Sequence, residues 1–338
     1  MKAYVLEAVN SLTYKDVEIP SLEEGWVLVK VKASGICSSD IPRIYKKGTY
    51  HFPTIPGHEF SGIVERAGSI IEEKWIGKKV AVFPLIPCRA CHACMEGKYE
   101  MCENYNYIGS RCDGGFAEYV KVPEWNLLEL KDDASLIDSA MLEPLSVALH
   151  AVKKAEIKSG DSVNVVGTGM IGIAAALWAS RYGAKEVCVL GRNEQKRRLV
   201  ECYKNLIYVN YEECTHYELA DAVVEAVGTQ QSIELAIKSV KPGGRIVLMG
   251  NPIGDISINQ DIYWKILRKQ IKITGTWNSS YEKNLPCDWT EARDAIYKNE
   301  IDVSKLITHI YQQDELKKGL DMMKNHEEMY CKVMMVWE

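Results

Sequence analysis

The sequence predicts an α/β protein of two domains, one antiparallel and barrel-like, the other a doubly wound parallel sheet. Its 338 residues are roughly twice the ~150 expected of one domain. The first third alternates short β-rich runs with glycine and proline. Beyond Gly160, buried-type strands alternate with helical periods, the pattern of a parallel sheet.

In the first third, Trp26 to Ala33, Phe60 to Ala67, Lys79 to Phe83 and Phe116 to Val122 combine β-branched or aromatic residues with flanking turn signals. A helical stretch from Asp138 to Ala155 then runs into the break Lys158-Ser159-Gly160-Asp161. Six strands follow: Ser162 to Val166, Glu186 to Leu190, Leu206 to Val209, Asp221 to Ala226, Arg245 to Met249 and Ile271 to Thr274. Amphipathic helices over Thr290 to Lys298 and Asp314 to Lys324, and a closing strand Cys331 to Val336, read as a return to the first domain. The expected boundaries are therefore 1–150 with 285–338 for the first domain and 151–284 for the second.

The net charge of −5 gives no broad basic surface for a phosphate backbone, so nucleic acid is not expected as a partner. No stretch of about 18 apolar residues offers a membrane span, and no secretory signal opens the chain; a cytoplasmic protein is expected. Eleven cysteines in a reducing compartment point to metal or catalysis where they cluster and to packing where they scatter.

Four of them cluster. Cys88, Cys91, Cys94 and Cys102 have the spacing C-x2-C-x2-C-x7-C on a loop opened by Pro84 and Pro87. Four thiolates complete a tetrahedron around one structural Zn²⁺ and leave no open position. Spacing alone also fits an iron–sulfur cluster, but a second constellation favours zinc. His92, inside the loop, is expected to be solvated. The second constellation is Cys37, after a strand, then His58-Glu59, then Glu143. A thiolate, an imidazole and one or two carboxylates can form a catalytic zinc site with an open position. By themselves, a lone cysteine after a strand and a lone histidine in a loop are more often structural than metal-binding.

The strand Val163 to Val166 runs into Gly167-Thr168-Gly169-Met170-Ile171-Gly172 and an Ala-rich segment. In that context G-x-G-x-x-G predicts a dinucleotide turn whose helix N-terminus faces the pyrophosphate. The next strand ends in Gly191-Arg192-Asn193, where an NAD site carries Asp or Glu for the ribose 2′-OH. Gly191 removes that carboxylate and Arg192, aided by Lys196 or Arg197, can pair with a 2′-phosphate. NADP(H) is thus favoured, with NAD(H) as the alternative. Val227, Met249 and Gly250 are expected to line the nicotinamide half.

Cys37-Ser38-Ser39-Asp40, Gly57-His58-Glu59, the four-cysteine loop and the glycine turn occur in an order that resembles the zinc-containing medium-chain alcohol and polyol dehydrogenases. The resemblance covers nearly the whole chain. It implies a GroES-like β-barrel catalytic domain, a Rossmann domain and two zinc ions per subunit. It also implies that Cys37 and His58 ligate the catalytic zinc, with Glu59 and Glu143 on the metal or alternating with water. Asp40 matches the carboxylate that orients the ligating histidine, and Ser39 the hydroxyl that passes the substrate proton outward. Where relatives often continue that relay with a histidine, this chain has Pro42.

Ser39 to Tyr45, Ile108 to Tyr119, Lys265 to Lys269 and Gly275-Thr276-Trp277-Asn278 resemble the branch of that family acting on galactitol 1-phosphate. The resemblance implies hydride transfer between NAD(P) and a secondary hydroxyl of a polyol or polyol phosphate, in a homodimer or homotetramer. Arg43 is the expected phosphate anchor, with Arg111 or Lys46 as substitutes, and Tyr45 and Trp277 are expected walls for the polyol. The acidic NAD residue usual in that branch is missing. The alternatives are an unphosphorylated sugar alcohol, an amino-alcohol of the threonine type, or a nucleotide- and zinc-binding protein without catalysis. Cys112, Cys188, Cys202, Cys214, Cys287 and Cys331 remain unassigned thiols.

Overall fold

The computed structural model describes residues 1–70, 72–213, 219–252 and 254–338; Cys214 lies outside them. The chain forms two compact units, Met1–Glu143 with Ser280–Glu338, and Pro144–Ser279. These divisions fall at Glu143/Pro144 and Ser279/Ser280, a few residues before the expected 150/151 and 284/285. The first lies inside the helix Leu142–Lys154.

The first unit is built on a seven-stranded sheet. Its centre is the long strand Trp26–Ile36, antiparallel to Glu59–Ala67 on one side and to Tyr119–Pro123 and Lys332–Val336 along its other edge. Val27, Val29, Val31, Phe60, Val64, Val80 and Leu127 are buried in its core. Alternation of valines along a strand puts every second side chain on one face, which is why the sequence reads as β here. The expected strand from Phe116 starts only at Tyr119, because the preceding backbone is spent on another loop. Gly115 N–H donates to Gly57 O at 2.8 Å and Phe116 N–H to Pro56 O at 3.0 Å.

Two features were not expected. An N-terminal hairpin pairs Lys2–Ala8 with Ser11–Asp16. The strand Ile307–Gln312 runs parallel to Lys332–Val336, so the sheet is not purely antiparallel.

The second unit is a six-stranded, wholly parallel sheet. Counted along the chain, its strands lie in the order 3-2-1-4-5-6, the doubly wound arrangement in which the order reverses beside the first strand. The first strand, Ser162–Val166, is buried at every residue, as a strand covered by helices on both faces must be. The helix Met170–Arg181 follows it directly, and its alanines let it pack close: Ala174, Ala175, Ala176 and Ala179 are fully buried. Trp178, also fully buried, has its indole satisfied by the Leu145 carbonyl at 3.0 Å. No described helix is long and apolar enough to cross a membrane.

One glycine crossing in the first unit sets the approach to the sheet. Gly109 has φ +85°, and a Cβ there would stand 2.3 Å from the Gly57 carbonyl oxygen, next to His58. Gly109→Ala therefore combines left-handed strain with backbone overlap. It should destabilise the first unit by about 2 kcal/mol or more, measured by urea unfolding; an unchanged midpoint would show that the loops yield freely.

Candidate functional site

Cys37 sits at the end of the central strand, and His58 and Glu59 open its antiparallel neighbour. The pairing Gly35↔Glu59 brings the two strand ends together. One donor atom from each of Cys37, His58 and Glu59 lies within 4.8 Å of the others. Burial, then the nearby Glu59 and Asp40 carboxylates, push the Cys37 thiol up to about 12. Glu143 is also buried here, and burial raises its carboxyl to about 7.

Concentrated anionic donors of this kind, with an imidazole among them, suit a divalent cation of zinc's ligand preference. The nearest compensating cation is Lys332, from the last strand. Its ammonium is buried, pairs with Glu59 and donates to the Ile36 carbonyl at 3.4 Å. Burial alone would lower its pKa, but Glu59 and Cys37 reverse the shift and hold it raised.

The residues around this set are arranged by short contacts. Asp40 is fully buried; one oxygen accepts from Cys37 N–H at 3.0 Å and the other from Arg43 at 2.7 Å. That second oxygen is 3.6 Å from His58 Nδ1, which has no hydrogen-bond partner. His58 Nδ1 thus faces a carboxylate, leaving Nε2 for a metal, the arrangement that fixes a ligating histidine's orientation. The Ser39 hydroxyl donates to Cys37 Sγ at 3.2 Å. Tyr107, which the sequence reading passed over, donates its hydroxyl to Glu143 Oε1 at 3.2 Å and lies 5.8 Å, ring to ring, from His58. Glu143 is outside the three-residue donor set.

The four-cysteine loop closes on itself. Cys88, Cys91, Cys94 and Cys102 place their sulfurs within 4.8 Å of one another. The N–H groups of Ala90 and Cys91 pull the Cys88 thiol down to about 6. Backbone donors aimed at the Cys88 and Cys91 sulfurs favour the thiolate form that a tetrahedral metal needs, while burial pushes the Cys94 and Cys102 thiols up. His92 points away, 3.5 Å from Glu96, with its side chain 78% exposed. None of the described cysteines is in a disulfide.

In the second unit the three glycines of the turn separate by role. Gly167 adopts φ +121°; a Cβ on Gly172 would lie 2.2 Å from the Gly167 carbonyl oxygen; Gly169 has no atom within 4 Å of its Cβ position and is open. The tight turn, the close helix packing and the open cradle are the geometry of a pyrophosphate site. Gly169 caps the helix without a side-chain bond, so Met170, buried, and Ile171, partly buried, follow it with main-chain N–H groups directed outward. A Cβ on Gly191 would meet Thr168 Cγ2 at 2.5 Å and the Tyr208 ring at 2.9 Å, leaving no room for an acid.

Arg192 is exposed, directly after the strand Glu186–Gly191. Arg197 is committed: it pairs with Glu194 and with Glu201 at 2.9 Å and covers the Tyr208 ring at 4.7 Å. Val227 is 39% exposed, and Met249 and Gly250 are partly buried at the ends of neighbouring strands.

Of the expected substrate contacts, Arg43 is engaged with Asp40. The Tyr45 hydroxyl donates to Asp321 at 2.7 Å and its ring is covered by Lys324, so it faces the helix Leu316–Asn325. Trp277 is half exposed and belongs to the second unit. Arg111 is held between Tyr50 and Tyr105 at 4.2 and 4.4 Å and donates to the Tyr105 carbonyl at 3.2 Å. Lys46 is exposed.

Residues 23–132 match the alcohol dehydrogenase GroES-like domain, and residues 170–297 the zinc-binding dehydrogenase domain. Galactitol 1-phosphate 5-dehydrogenase of Escherichia coli (strain K12) is 32% identical over 91% of this chain and 92% of its own length. The crystal structure of galactitol-1-phosphate dehydrogenase from Escherichia coli superposes with a TM-score of 0.91 at 30% identity, covering 99% of this chain and 100% of that one. A zinc-binding dehydrogenase from Sinorhizobium meliloti 1021, solved bound to NADP, superposes with a TM-score of 0.89 at 28% identity, covering 99% and 98%.

Removing Arg43 would leave the buried Asp40 carboxylate with one N–H donor and no cation. Arg43→Ala should cost roughly 2–3 kcal/mol, since breaking a largely buried pair strands the remaining charge. Chemical denaturation measures it; a loss under about 0.5 kcal/mol would show the pair to be screened as surface pairs are.

Proposed function

Because the chain belongs to the zinc-containing medium-chain alcohol and polyol dehydrogenase family, we propose that it oxidises a secondary hydroxyl of a polyol phosphate with NADP⁺, or reduces the matching ketone with NADPH. The observation that carries this reading is the convergence of Cys37, His58 and Glu59 at two adjoining strand ends. Those three residues would hold the catalytic zinc, and Cys88, Cys91, Cys94 and Cys102 a structural one. When bound, zinc lowers the pKa of a hydroxyl and NADP⁺ accepts a hydride.

The chain's own residues do the rest. Asp40 keeps His58 oriented and is itself neutralised by Arg43. Lys332 balances Glu59. Ser39 Oγ, against the Cys37 sulfur, is placed to take the proton a substrate hydroxyl loses. Pro42 provides no onward acceptor, so the proton leaves Ser39 by another route. Tyr107 holds Glu143 by its carboxylate beside this group.

Gly167, Gly169 and Gly172 with Met170 and Ile171 would receive the pyrophosphate, and Arg192 the 2′-phosphate, with Gly191 keeping that position clear of a carboxylate. Arg197 supports the local fold through Glu194 and Glu201 instead of reaching the nucleotide. Val227, Met249 and Gly250 would line the nicotinamide half, and the half-exposed Trp277 is the second unit's own candidate for a polyol contact. A homo-oligomer is supported by the strand Lys272–Gly275, which ends the six-stranded sheet among the described residues, and by the exposed apolar Trp264, Leu267 and Ile273.

A second reading, an unphosphorylated polyol, is favoured by one observation: Arg43, the expected phosphate anchor, and Arg111, one of its expected substitutes, both already have partners.

Steady-state rates with galactitol 1-phosphate, sorbitol, xylitol and threonine, each with NAD⁺ and NADP⁺, separate these readings. The phosphorylated polyol with NADP⁺ should give the highest kcat/KM; a higher value for sorbitol or xylitol selects the second reading, and no turnover on any polyol contradicts both. Arg192→Ala should raise KM for NADPH about tenfold or more, the order of a lost charge-assisted bond, with little change for NADH. An equal effect on both nucleotides would contradict the 2′-phosphate assignment.

A further inference from the structure

We infer that Glu225 is the positioning residue of the nicotinamide half of the nucleotide site, holding the turn of Val227 and Gly228 against Met249 and Gly250. The inference rests on the reading of the second unit as an NADP(H) site. Glu225 ends the strand Ala220–Glu225 and is completely buried. Its Oε1 accepts from the N–H of Val227 and of Gly228, both at 2.8 Å. Its main-chain oxygen accepts from Met249 N–H at 2.9 Å and Gly250 N–H at 3.1 Å. One residue therefore binds four donors, two adjacent N–H groups on each of two turns.

Those turns touch through backbone. A Cβ on Gly228, at φ +82°, would stand 2.0 Å from the Asn251 carbonyl oxygen, and one on Gly250 would stand 2.1 Å from Gly228 N. Val227, the residue so fixed, packs against the nucleotide turn: a Cβ on Gly167 would lie 2.8 Å from Val227 Cγ2. The turns occupy the carboxyl ends of adjacent parallel strands, where open sheets of this kind bind ligands.

A buried carboxylate without a cation is an expensive way to end a strand; an apolar side chain would bury more cheaply. Glu225 Oε2 has no partner among the described residues, so half of that carboxylate returns nothing. What the acid supplies is Oε1, an acceptor at the one point that reaches both N–H groups. The role is geometric, and an amide oxygen can fill it.

The test is equilibrium binding to the full chain, by calorimetry, of NADPH and of adenosine 2′,5′-bisphosphate, which lacks the nicotinamide half. Glu225→Ala should weaken NADPH about tenfold, the order expected when two buried donors lose their acceptor, and leave the bisphosphate within about twofold. Glu225→Gln should keep both affinities near the original protein's. Glu225→Asp, whose acceptor is drawn back by one methylene, should lose NADPH selectively and serves if the alanine variant does not fold. NADPH affinity unchanged in the aspartate variant, or both nucleotides weakened alike in every variant, overturns the inference. Failure of the unaltered protein to bind either nucleotide contradicts the NADP(H) reading itself.

Discussion

The first unit depends on one buried ion pair, Glu59 with Lys332. The two residues are 273 positions apart, and the whole parallel-sheet unit is inserted between them. Desolvating either charge alone would cost several kcal/mol, so neither strand is comfortable until both are paired (about that much per ion in a real interior). The pair therefore does more than add stability. It ties the C-terminal strand Lys332–Val336 to the group of Cys37, His58 and Glu59, by placing an ammonium behind Glu59 and against the Ile36 carbonyl, one residue from Cys37. A GroES-like domain interrupted by another domain has to find its last strand across a long separation, and here the chemistry of the site supplies the matching charge.

The same logic of compensated anions extends outward. Asp40 faces His58 and is answered by Arg43; Glu143 is answered by a neutral donor, Tyr107. Burial and the neighbouring acids push the Cys37 thiol and the Glu143 carboxyl up, a crowding of acidic groups that a bound divalent cation would relieve. In the second unit the constraint is steric instead. Glycines at 167, 172, 191, 228 and 250 stand where a Cβ would strike backbone or a packed side chain, and Gly169 stands where it would meet nothing. The five close the turns, and the sixth leaves space for a ligand.

Much of this was legible in the chain, for physical reasons that differ by element. The strand Ser162 to Val166 was placed to the residue because its three valines are bounded by the Gly160-Asp161 break on one side and the glycine turn from Gly167 on the other. The four-cysteine cluster and the convergence of Cys37, His58 and Glu59 were legible because thiols and an imidazole are rare, and their spacing is short in one case and carried by family resemblance in the other. The start of the strand at Tyr119 was not legible, because Gly114 to Phe116 look extended but bond to the Gly57 loop. Lys332 left a trace, a lysine inside the apolar run Cys331 to Val336, that only an acid across the sheet explains. Tyr107 left none; a lone tyrosine acquires its role from Glu143 at 3.2 Å. Arg43 and Tyr45 have neighbours that their sequence position does not disclose. A charge and an aromatic beside a ligand loop suggest substrate contacts, yet their polar groups meet Asp40 and Asp321. Sequence order places residues near a site but does not say which neighbour satisfies them.

The central claim is that the first unit holds two zinc ions of different character, one enclosed by four thiolates and one at Cys37, His58 and Glu59. Metal content of the purified chain, by native mass spectrometry, tests it most directly when the unaltered protein is compared with Cys37→Ala. The account predicts two zinc ions in the former and one in the latter, with turnover abolished and NADPH binding retained. Two zinc ions and full turnover in Cys37→Ala would contradict it.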